Sequence, residues 1–131
     1  MAKDWTVERH LDVVSSAVLQ LYERLVELVD RCGPFTYSVS KTAITFKGTR
    51  RGFAGARPRQ KYLGGYFDLT RRIDDPRVTR VTPYTKRLFV HAWRVDRIDQ
   101  LDDQFAGWLA EAYAVGNGAH LDEPATDPSQ N

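Results

Sequence analysis

A chain of 131 residues, 42% hydrophobic and 27% charged, is long enough to bury a core of its own and short enough to favour one domain. Its single cysteine, Cys32, excludes an internal disulfide framework, so a reducing compartment is expected. The start, Met-Ala-Lys-Asp-Trp-Thr, opens no apolar leader, and no stretch approaches the roughly 18 apolar residues of a membrane span, so the expected location is the cytoplasm.

Residues 6–11 fit a short helical turn capped by Thr6. The spacing of Val18, Leu21, Tyr22, Leu25, Leu28, Val29 and Cys32 predicts a long helix over 15–32 with one apolar face. Cys32 lies on that face and reads as a structural thiol. Ser15 or Ser16 can cap the start, and Gly33-Pro34 stops the helix. From Phe35 the period changes to two, which predicts strands over 35–40, 42–46, 53–57, 61–69, 77–81 and 87–95. Gly64-Gly65, in the middle of the fourth, marks either a bulge or a close approach to the backbone. Asp99 or Asp96 can cap a last helix running to about Val115, with Ile98, Leu101, Phe105, Trp108, Leu109 and Ala112 as its apolar face. Residues 117–131 are too polar to offset their ordering entropy and read as a disordered tail. The expected fold is α+β: a mostly antiparallel sheet of five to six strands, with one long helix before it and one after, forming a single domain over 1–116.

The near-neutral total hides a segregation of charge. Residues 41–87 carry thirteen Lys and Arg against three acids, whereas residues 1–40 carry four against six and residues 88–131 two against eight. Two readings fit. Lys and Arg can simply solvate the outer face and edges of a sheet, balanced in space by acids on the helices. Alternatively, Lys47, Arg50, Arg51, Arg57, Arg59 and Lys61, beside the rings of Phe53 and Tyr62, form a site for a polyanion, with nucleic acid the first candidate.

Other chemistry has little footing. There is no phosphate-cradling Gly-x-x-x-x-Gly-Lys-Ser/Thr motif, and Gly48, Gly52 and Gly55 lie in a hairpin context. His10, His91 and His120 are scattered, so neither a metal nor another cofactor is expected. No acid-x-Lys triplet of the metal-dependent nuclease kind precedes Lys47 or Lys61, where Thr45 and Arg59 stand. His91 shares a strand face with Phe89 and Trp93 and reads as a hydrogen-bonded wall before a general base. With Trp93, Gly64 and Gly65 it marks a candidate pocket.

Several stretches taken together resemble a bacterial family known as domain of unknown function 5655. They are Trp5-Thr6-Val7, His10-Leu11, Leu21-Tyr22-Glu23, Cys32-Gly33-Pro34, Thr42-Ala43-Ile44-Thr45-Phe46, Arg57-Pro58-Arg59, Val90-His91 and Trp108-Leu109-Ala110-Glu111-Ala112-Tyr113, which together cover roughly residues 5–116. The resemblance implies a domain found alone or attached to a nuclease-like module, with no catalytic residues assigned. It also implies basic residues at Arg57 and Arg59 and a histidine at His91. The expected function is a non-enzymatic module whose basic sheet binds an anionic partner. A small-molecule pocket near His91 and Trp93 and a docking or dimerisation surface on the exposed sheet are the alternatives.

Overall fold

The computed structural model describes residues 6–12, 14–85 and 87–118. Helix α1 (Val7–Leu11) starts where the Thr6 side chain accepts a hydrogen bond from the Arg9 N–H. Helix α2 (Ser16–Cys32) is capped in the same way by Ser15, which accepts from the Val18 N–H. It ends at Gly33, whose φ of +139° lies in the region that disfavours side chains, and a Cβ there would meet the Tyr113 hydroxyl at 2.5 Å. The predicted stripe is the buried one: Val18, Leu21, Tyr22, Leu25, Leu28 and Val29 face the core. Cys32 is half-buried, and its Sγ–H donates to the Leu28 carbonyl.

Six strands follow: β1 (Thr36–Val39), β2 (Ile44–Lys47), β3 (Gly52–Pro58), β4 (Leu63–Leu69), β5 (Val78–Pro83) and β6 (Phe89–Val95). They form one antiparallel sheet in the order β1-β2-β3-β4-β6-β5. The fold is therefore α+β, as expected, but β5 is displaced to the edge and β6 takes its place beside β4. Pairing puts Phe46, Ala54, Phe67 and His91 in one row across the sheet, and Ile44, Ala56, Gly65 and Trp93 in the next. Helix α3 (Asp103–Gly116) packs on these rows through Phe105, Trp108, Leu109 and Ala112, with α2 beside it. The Phe105 ring meets Trp93 edge-on at 5.2 Å and Phe67 at 5.7 Å.

Gly64-Gly65 is a close approach, not a bulge: β4 runs in unbroken register with both neighbours, and the Trp93 ring lies directly on Gly65. Register shifts fall instead at Thr79, between β5 and β6, and between β2 and β3, where Phe46 pairs with Ala54 but Lys47 with Gly52. The extra residue, Phe53, is buried, with its ring 5.4 Å from that of Tyr113.

The last helix starts later than the sequence suggests. A 3-10 turn, Ile98–Gln100, comes first, held by the Gln100 side chain, which accepts from the Asp96 and Arg97 N–H groups. Asp102 is the cap of α3, accepting from the Phe105 N–H at 2.9 Å. Neither Asp96 nor Asp99 caps it, and Ile98, expected on the apolar face, is 45% exposed. Arg77 ties the cap to the sheet edge, reaching Asp75 and Asp102 at 2.9 Å each, with its guanidinium 4.7 Å from the Trp108 ring centroid. Asp102→Ala removes the cap and half of this clasp. It should lower stability by about 1 kcal/mol in urea unfolding, the usual cost of a lost N-cap.

Asn117 and Gly118 belong to the folded body: Asn117 Oδ1 accepts from the Thr49 N–H at 2.9 Å, and Gly118 is buried against Arg50. The rest of the expected tail, with His120, lies outside the described residues. Among the described residues, no helix is long and apolar enough to cross a membrane.

Candidate anion-binding site

The face of the sheet opposite α2 and α3 follows from the same register. One row across it runs Arg57–Gly64–Arg94, and the next Thr45–Gly55–Tyr66–Ala92–Arg80. Because Gly64 carries no side chain, the arginines of β3 and β6 stand on either side of bare backbone. Their Cα atoms are two strand spacings, about 10 Å, apart. The result is an open hollow of about 260 Å³ bordered by Arg57, Arg59, Tyr62, Gly64, Gly65, Thr79, Ala92, Trp93 and Arg94. None of these is acidic, and among the described residues Arg57, Arg59, Arg80 and Arg94 form no ion pair.

Two tyrosines support the arginines. The Arg94 guanidinium lies 3.9 Å from the Tyr62 ring centroid, and that of Arg57 lies 5.0 Å from the Tyr66 centroid. Tyr66 in turn lies across Gly55, where a Cβ would come within 2.5 Å of the ring, and its hydroxyl shares a 2.7 Å hydrogen bond with Thr45. Burial raises the pKa of this phenol, so it stays neutral. The rings lie against the guanidiniums of a half-buried Arg57 and an exposed Arg94.

The candidate residues thus divide. Arg57 and Arg59 come together with Gly64, Gly65 and Trp93 around one hollow. Arg51 is engaged elsewhere: its Nη2 donates to Asp68 Oδ2 at 2.7 Å, and its guanidinium lies 5.2 Å from the Tyr84 ring centroid. Asp68 is 4% exposed, its Oδ1 has no hydrogen-bond partner, and burial outweighs Arg51 to push its pKa up to about 6. Lys47 borders a separate hollow with Pro34, Phe35, Thr36, Gly48 and Thr49. Arg50 packs its side chain near Gly118, and Lys61 is exposed in the β3–β4 turn. Neither lines the basic hollow. Phe53, considered as a stacking ring beside the basic cluster, is turned into the core by its bulge.

His91 lies on the opposite, helix-covered face. Its Nε2 accepts from the Ile73 N–H and its Nδ1–H donates to the Phe89 carbonyl, both at 3.0 Å. Burial lowers its pKa, so the ring is neutral and both nitrogens are occupied by backbone. It fastens the 70–77 connection to the sheet and is not part of the hollow. Among the described residues, no group of three or more His, Cys, Asp or Glu is placed to hold a metal ion.

Arg94, Thr79 and Ala92 were not picked out from the sequence. A signal for Arg94 exists: if His91 and Trp93 face the core, strict alternation sends Ala92 and Arg94 to the other side.

No curated protein and no solved structure matches the chain. The family model described as Domain of unknown function (DUF5655) matches residues 7–116, from the first helix to the end of the last. The chain belongs to the DUF5655 family, a domain of unknown function.

Proposed function

We propose that the chain is a non-enzymatic binding module that holds an anionic partner, nucleic acid first, on the open face of its sheet. One observation carries most of the support: Arg57, Arg59 and Arg94, brought together from two strands and a turn, border one hollow with no carboxylate in its lining. Guanidinium forks match phosphate oxygens in geometry and charge, and the missing side chain at Gly64 leaves no Cβ between the two strands' arginines. At about 260 Å³ and open to solvent, the hollow is smaller than the roughly 300–1,000 Å³ of sites that enclose a small ligand. A polymer crossing the sheet suits it better than an engulfed metabolite. His91, the residue best suited by type to acid–base work, has both nitrogens held by backbone, which favours binding over catalysis. A module of this kind acts on nucleic acid in the cytoplasm, where we place it.

The test is fluorescence anisotropy with a labelled strand of about 20 nucleotides. Three phosphate contacts predict that Kd rises roughly 20-fold between about 50 and 200 mM salt. Arg57→Ala combined with Arg94→Ala should weaken binding at least tenfold, with Tm held within a few degrees. Absence of binding at the lower salt, or binding indifferent to both salt and the double substitution, refutes the proposal.

A further inference from the structure

The chemistry lining the hollow also bears on how a nucleic acid would be read, an inference that rests on the function just proposed. Sequence-tolerant binders of single strands usually stack bases on open aromatic faces, and sequence-specific ones present amide, carboxylate or guanidinium groups to base edges. Of these groups the hollow offers only guanidiniums, those of Arg57 and Arg94 each lying against a tyrosine ring. The Tyr66 ring lies across Gly55 with the Arg57 guanidinium 5.0 Å from its centroid, and its hydroxyl is bonded to Thr45. Tyr62 is covered by Arg94 at 3.9 Å. Trp93 turns its ring onto Gly65 and Phe105 in the core. The Thr79 hydroxyl donates to the Ala92 carbonyl. No Asn, Gln, Asp or Glu borders the site. What borders the hollow on either side of Gly64 is a half-buried Arg57 and an exposed Arg94.

We infer that the Arg57–Gly64–Arg94 row grips the phosphodiester backbone and leaves the bases unread. Both arginines act as charge-assisted donors to successive phosphates, and the ring beneath each sets its orientation and makes no contact with the ligand.

The experiment compares four labelled strands of equal length on the full chain: oligo-dT, oligo-dA, a mixed sequence and an abasic strand that keeps every phosphate. All four, the abasic one included, should bind with Kd values within about threefold of each other and with equal salt dependence. Arg94→Ala should weaken all four by the same factor, because a phosphate contact carries no sequence information. A tenfold weaker abasic strand overturns the inference, as does a tenfold preference for one sequence or an Arg94→Ala loss confined to some strands. Each of these outcomes leaves the binding function intact. Failure of all four strands to bind refutes the binding function and the inference together.

Discussion

Arg51→Ala should destabilise the protein by about 3 kcal/mol at pH 7, and by much less at pH 4, in urea unfolding. The reason is Asp68. It sits next to the end of β4 with only 4% of its surface exposed, and among the described residues its one cationic partner is the Arg51 guanidinium at 2.7 Å. Even with that partner, burial raises its pKa from the ordinary carboxylate range to about 6. Removing Arg51 leaves a buried carboxylate that must stay charged without compensation or take up a proton at neutral pH. At pH 4 the proton is already bound in the folded state, so the loss shrinks to a hydrogen bond and some packing. The same residue sets a slope in the wild type. A folded value above the unfolded one means that Asp68 favours the fold fully below about pH 4 and progressively less as pH rises through 6. His91 acts in the opposite sense. Its pKa is lowered by burial, so its contribution is complete above the unfolded value of about 6.5 and is lost as pH falls through the folded one. Asp68→Asn should remove the one opposing slope and leave those of His91, Asp75 and Asp102, whose pKa values are all lowered, so that stability rises more steeply from pH 4 to 6.5 than in the wild type. Superimposable pH profiles for wild type and Asp68→Asn would show that Asp68 titrates normally.

The elements were legible because each has a local physical signature. The stripe from Val18 to Val29 repeats at helical spacing, Gly33-Pro34 cannot continue a helix, and the alternation from Phe35 onward has a period of two. The start of α3 was not legible, because Asp96, Asp99 and Asp102 stand at intervals of three and each is a sound cap by type. The choice among them rests on Gln100 closing a 3-10 turn and Arg77 reaching across from the sheet. The site was half legible for a related reason. Arg57 and Arg59 stood out in a basic segment. Arg94 lies beyond it in an acidic one and borders the same hollow as Arg57 only because β6 sits beside β4, which chain order does not reveal. Arg51 looked equivalent to Arg57 in sequence. The fold pairs Arg51 with a buried acid, whereas Arg57 lies over a tyrosine with no ion pair among the described residues.

Adjacent glycines should differ sharply in their response to the same added methyl group. At Gly65 a Cβ points to the helix-covered face, where the carbonyl oxygen of Gly55 and the Trp93 ring already occupy its place. The oxygen belongs to the backbone of β3 and cannot swing aside. The ring is wedged edge-on against Phe105 in the core. Gly65→Ala therefore has to part β3 from β4 or repack the aromatic cluster, and should cost about 3 kcal/mol or more, a fall in Tm on the order of 10 °C. At Gly64 the Cβ points to the open face and meets only ordinary contacts, the Arg57 carbonyl oxygen and the Tyr62 ring edge at 3.5 Å and the Trp93 carbonyl oxygen at 3.7 Å. Gly64→Ala should leave stability within about 1 kcal/mol of wild type, since a methyl group with room also reduces the freedom of the unfolded chain. Thermal unfolding of the two variants side by side decides the matter. Equal losses would mean that β4 needs glycine at both positions for its backbone alone. A loss confined to Gly65 would mean that the pair divides its work: Gly65 lets the core ring settle on the sheet, and Gly64 keeps the ground between the two arginines clear.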